Sequence, residues 1–165
     1  MLTVDERNAL IIKMRTLPRQ LAELVRGVPT DELEMVYLPG EWSIAQNIHH
    51  VADAHMNAFH RFKHILLHEQ PEIRSFDQKN WSRTVEATLP NVEDSLFILR
   101  GLHNRWCTLM DSLGEGDWER RGLHNQAGVV TLEDLLMSYA RHGDNHLEQI
   151  KKTLDAREQH KQSDS

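Results

Sequence analysis

Residues 131–154 read TLEDLLMSYARHGDNHLEQIKKTL. Leu132, Leu135, Leu136, Tyr139, Leu147, Ile150 and Leu154 recur at three- and four-residue intervals, which gathers them on one face of an α-helix and fits no strand. Thr131 stands where an N-cap hydroxyl would open that helix. A helix with one apolar stripe is stable when the stripe is buried against other helices. The rest of the chain supplies them. Thr3 with Glu6 forms a capping box ahead of Ala9, Leu10, Ile12, Met14, Leu17, Leu21, Leu24 and Val25 at helical spacing. Pro18 is expected to kink or split that run. Gly27, Pro29 and Pro39-Gly40 bound a connection, and Ser43 with Gln46 opens a long helix to about Glu69. A third helix runs from about Asn91 to Leu113 along the seam Leu96, Leu99, His103, Trp106, Met110 and Leu113, ended by Gly114 and Gly116. Strand patterns of useful length are lacking. The stretch from Pro71 to Pro90 has no sustained period, and a connection that long inside one domain is usually functional or partner-facing. Four long amphipathic helices imply an all-α, antiparallel four-helix bundle. The expected organisation is one domain over residues 1–155 and a polar tail over 156–165, AREQHKQSDS, expected to be frayed.

Composition removes several function classes. A net charge of −6 over 165 residues argues against binding to a phosphate backbone, so no nucleic-acid partner is expected. The single cysteine, Cys107, excludes an internal disulfide framework and Cys-based zinc knuckles. No apolar run is long enough for a membrane span, and the N-terminus lacks a secretory layout, so a cytoplasmic location is expected. Histidine is the anomaly, with eleven residues.

Helical position sorts those histidines. His142 and His146 lie four apart, so their imidazoles share a face and can converge on one ion. On a helical wheel His146 falls roughly 50° from the centre of the stripe and His142 roughly 90°, on the same flank. On the second long helix, with stripe Ile44, Ile48, Val51, Ala58, Phe62 and Ile65, His50 sits roughly 110° from centre and His49 roughly 150°. The wheel therefore prefers His50 as the inward one. Asp53 and Asn57 share its side of the helix as polar groups able to hold substrate or support ligands.

The residues PGEWSIAQNIHHVADAHMNAFHRFK (39–63) strongly resemble the corresponding stretch of the DinB superfamily, closest to its YfiT-like branch. The match continues through Gln70-Pro-Glu-Ile-Arg-Ser-Phe-Asp77, Trp81, Ser95-Leu, Leu102-His-Asn-Arg-Trp106 and Tyr139-Ala-Arg-His-Gly-Asp-Asn-His146, covering about Val25 to Ile150. The branch is grouped as metal-dependent hydrolases and includes bacillithiol S-transferases. The resemblance implies a four-helix bundle holding one divalent metal, zinc or nickel, through three histidines. One lies eight residues after the Trp of the Trp-Ser/Thr motif and two form the H-x-x-x-H of the last helix, which on this chain are His50, His142 and His146. A homodimer is also implied. Two departures stand out. Asn145 replaces the usual His before the second histidine of the last helix, and His124-Asn125-Gln126 replaces His-Pro-Glu, which removes a carboxylate from substrate handling.

Three neutral nitrogen ligands leave a coordination position open, as in catalytic zinc sites. Such a metal activates water for hydrolysis or strips the proton from a thiol. The expectation is a metal-dependent hydrolase or thiol S-transferase acting on a small molecule, with a low-molecular-weight thiol as one candidate. Asp53 would be the catalytic carboxylate and Asn57 a substrate-binding group, with substrate entering under the 71–90 loop. The competing expectation is a non-catalytic bundle that binds metal or a small ligand, or a stress-associated interaction module. Other histidines have plainer readings. His49 reads as surface or dimer-facing, His55 as a satisfied core residue, and His103 as buried and hydrogen-bonded or supporting the ligands. His60, His64 and His68 read as a solvated face. Cys107 reads as a packed residue rather than a nucleophile, and Trp42 and Trp106 as core or anchoring groups.

Overall fold

A computed structural model describes residues 1–163. Four long helices carry the fold: α1 (Val4–Val25), α3 (Ile44–Leu67), α5 (Glu93–Asp111) and α6 (Leu132–Ser163), with short α2 (Thr30–Leu33) and α4 (Gln78–Trp81) between them. The expected capping boxes open α1 at Thr3 and α3 at Ser43. Thr131 and Asp134 exchange the same pair of bonds at the start of α6, where Asp134 N–H donates to Thr131 Oγ1 at 3.0 Å.

Both α1 and α3 pack on α5 and α6, so the sequence neighbours α1 and α3 lie across a diagonal of the bundle. Cross-helix contacts fix the directions. Met14 meets His103 and Ile11 meets Cys107, so α1 and α5 are antiparallel. Asn47 meets His146 and Arg61 meets Tyr139, so α3 and α6 are antiparallel. His49 meets Ser95 and His55 meets His103, so α3 and α5 run parallel. Leu2 meets Glu133 and Lys13 meets Asp144, which makes α1 and α6 parallel too. The expected bundle is present, and these directions refine its antiparallel description. Parallel neighbours need a crossover, and that requirement explains the long connection between α3 and α5.

The connection is not featureless. Glu72–Ile73 forms strand β1, followed by α4 and a 3-10 turn at Glu86–Thr88. β1 pairs in parallel with β2 (Arg121–His124), which pairs antiparallel with β3 (Gly128–Thr131). Periodicity carries no sign of this sheet because its strands span two to four residues, too few for alternation to show. It sits against α3 through Gly122, where an added Cβ would meet Ile73 Cδ1 at 2.6 Å and Ile65 Cγ1 at 2.8 Å.

Two expectations about helices are corrected. α1 is not split at Pro18 but runs as one helix from Val4 to Val25. The polar tail is helical, with α6 continuing to Ser163; Asp164 and Ser165 lie outside the described residues. Charge holds this last part where apolar residues run out: the nearly buried Arg157 pairs with Glu32 of α2, and Lys161 reaches the same carboxylate at 3.0 Å. The core follows the expected stripes, with Ile44, Ile48, Val51, Phe62, Leu99, Trp106, Leu132, Leu136 and Ile150 removed from solvent. Among the described residues no helix is long and apolar enough to cross a membrane.

Candidate metal centre

His50 on α3 and His142 and His146 on α6 converge between these antiparallel helices. Each contributes a ring nitrogen, and the three nitrogens lie within 4.8 Å of one another. His50 Nε2 and His142 Nε2 are 3.1 Å apart. Around a tetrahedral zinc, nitrogens 2.0–2.1 Å from the ion sit about 3.4 Å from each other, so the spacing matches a shared cation. The donor set is imidazole only, which suits zinc, nickel and other late first-row ions. Among the described residues this is the one cluster of three or more metal-ligating side chains.

Burial keeps the rings neutral. Desolvation lowers His50 to about 4, helped by His146. It lowers His142 to about 3, with contributions from His146 and His50, and His146 to about 4. A neutral imidazole carries one N–H and one lone pair, and only the lone pair binds metal. Which nitrogen presents it is decided by the partner of the other. His146 Nδ1 lies 2.8 Å from Asn47 Oδ1, an acceptor, so Nδ1 carries the proton and Nε2 the lone pair. Asn47 cannot turn, because its amide nitrogen donates to the Ser43 carbonyl at 2.9 Å.

Aromatic rings cover the cluster. Trp42 lies edge-on to His50 at 4.8 Å and stacks on His146 at 6.2 Å. Phe76, from the crossover, stacks on His50 at 6.1 Å. Arg61 is a buried cation whose guanidinium lies 5.9 Å from the Phe76 ring. Its Nη1 donates to Tyr139 Oη at 3.0 Å, while its buried Nη2 has no hydrogen-bond partner. Tyr139 in turn lies 6.0 Å from the His142 ring.

The other sequence candidates fall elsewhere. Asp53 is half-buried beside Glu86 and His49 and does not join the cluster; burial and Glu86 raise its carboxyl pKa. Asn57 turns its amide back to the Asp53 carbonyl at 2.9 Å. His49, read as surface or dimer-facing, is buried: its ring bridges Ser95 Oγ at 2.8 Å and the Leu89 carbonyl at 2.9 Å, tying the end of the crossover to α3. The wheel pointed it away from the apolar stripe correctly, but the crossover covers that flank. His124 accepts from the Gln126 and Ala127 amides and shapes the β2–β3 turn. Cys107 is a packed thiol, raised to about 11 by burial. Sequence reasoning passed over Asn47 and Phe76. Asn47 was visible in principle, three residues before His50 and facing the last helix, whereas Phe76 was marked only by lying in the 70–77 stretch that carries the resemblance.

Fold and site together define a helical bundle with a three-histidine cluster between two of its helices. The chain belongs to the DinB superfamily, whose family model matches residues 13–150. It is 37% identical to an Oceanobacillus iheyensis protein over 87% of this chain and 83% of that one. It is 39% identical to one from Geobacillus thermodenitrificans over 85% and 79%. Both relatives carry the name "Putative metal-dependent hydrolase". The solved structure of YfiT from Bacillus subtilis superposes with a TM-score of 0.88 at 30% identity, covering 93% of this chain and 88% of that one. It is described as "a probable metal-dependent hydrolase with an unusual four-helix bundle topology".

Proposed function

We propose that this protein is a metal-dependent enzyme that activates water, or a low-molecular-weight thiol, for attack on a small electrophilic substrate. The observation that carries the reading is the convergence of three neutral imidazoles from α3 and α6, with no carboxylate or thiolate among them. A divalent cation held by such a set supplies Lewis acidity and lowers the pKa of an oxygen or sulfur ligand. His50, His142 and His146 would hold it. Because all three are uncharged, the centre keeps its full positive charge for an anionic partner. Asn47 orients His146 with a neutral oxygen and preserves that balance. Trp42 and Phe76 exclude bulk water from the flanks of the cluster and strengthen the electrostatics inside. Arg61, whose guanidinium lies against the Phe76 ring, offers its unpartnered Nη2 to an anionic group on the substrate.

Purified protein loaded with zinc or nickel is to be tested against ester and amide panels, and separately against a thiol with an electrophile. Turnover in one arm, lost together with bound metal in His142→Ala, supports the proposal. Turnover undiminished in His142→Ala contradicts it, as does bound metal with no turnover in either arm.

A further inference from the structure

Behind the cluster lies a second set of imidazoles with a single direction built into it. Pro18 has no N–H, so the Met14 carbonyl one turn earlier lacks its helical donor. His103 Nδ1 lies 2.5 Å from that oxygen. A carbonyl only accepts, so His103 Nδ1 carries the hydrogen, and on a neutral ring His103 Nε2 is then an acceptor. His55 Nδ1 faces it at 2.9 Å and must therefore be the donor. That leaves His55 Nε2 as an acceptor, 3.1 Å from His142 Nδ1, which must donate in turn. The remaining nitrogen of His142, Nε2, is the one that faces His50 across the cluster. His55 and His103 are wholly buried, so their bonds to each other and to the Met14 carbonyl are shielded from water.

We propose that Met14, His103 and His55 form a polarised hydrogen-bond chain that fixes the tautomer of His142, so that its Nε2 lone pair is aimed at the centre. His55 and His103 are positioning residues, and the value of this arrangement to metal binding rests on the function proposed above. Both orienting routes end on neutral oxygens, the Met14 carbonyl for His142 and the Asn47 amide for His146. A carboxylate would add negative charge and make the ligand more basic. A carbonyl sets direction alone. The Pro18 that the sequence pattern would treat as a fault in α1 supplies the free acceptor on which the chain ends.

The test is nuclear magnetic resonance on metal-free protein labelled with 15N histidine. Wild type is expected to show His142 as a single Nδ1–H tautomer, with 15N–15N couplings across the His142–His55 and His55–His103 hydrogen bonds. Absence of both couplings would overturn the proposal without any variant. His55→Leu is expected to mix the His142 tautomers and weaken zinc affinity about 10–100-fold. His55→Gln, whose amide can both donate and accept, is expected to recover most of it. A folded His55→Leu protein with an unchanged His142 tautomer would sink the idea. If wild type binds no zinc yet shows the couplings, the chain stands and the metal reading alone fails.

Discussion

At the scale of single residues, the cluster depends on which nitrogen of each imidazole carries a proton. Asn47 decides this for His146. Asn47→Leu removes the acceptor and is expected to weaken zinc or nickel affinity about 10–100-fold, measured by competition with a chromophoric chelator. Asn47→Asp keeps an acceptor and adds charge, so its affinity is expected to exceed that of Asn47→Leu; equal affinities would argue against the orienting role. The same residues set a pH dependence. His50, His103 and His146 sit near 4 and His142 near 3, pushed down chiefly by burial from an ordinary value of 6.5. Between those values the unfolded chain binds more protons than the folded one, so stability falls as pH drops. Metal-free protein should hold full stability above about pH 6.5 and lose it steadily toward pH 4. Urea midpoints across that range check the sign, and a flat profile would contradict burial of neutral rings. Arg61→Met is expected to raise KM about tenfold for substrates bearing a carboxylate and to leave neutral analogues unaffected, consistent with loss of one charge-assisted bond.

At the scale of elements, two close approaches hold the helices around the centre. A Cβ at Gly143, next to His142, would meet Leu17 Cδ2 at 2.7 Å where α1 crosses α6. A Cβ at Gly122 would press on two isoleucines where the sheet meets α3. Gly122→Ala is therefore expected to cost about 1–3 kcal/mol by overpacking, read as a lowered urea midpoint, while leaving metal affinity within twofold. The helices themselves were legible because stripes such as Ile44, Ile48, Val51 and Ala58 repeat over many turns. The strands were not, because two to four residues are too few to establish a period of two. The tail misled for a related reason: residues beyond Leu154 have no stripe, and the Arg157–Glu32 pair that holds them joins positions far apart in sequence.

At the scale of the whole molecule, helix direction is what builds the site. The antiparallel meeting of α3 and α6 brings His50 opposite His142, and the parallel run of α3 and α5 brings His55 alongside His103. The crossover demanded by that parallel pair then lays Phe76 over His50. Spacing along α6 and the wheel for α3 pointed to three of these side chains, and family resemblance joined them into one set. The chain from Met14 through His103 and His55 was not readable, because it runs across three helices and depends on atoms rather than on faces. The most direct measurement is X-ray absorption on metal-loaded protein, with metal content determined on the same sample. The account predicts one divalent ion per chain with three imidazole nitrogens and at least one exchangeable light-atom ligand, lost in His142→Ala. A protein that takes up no stoichiometric metal, or whose ion is fully enclosed by four protein ligands, would contradict it.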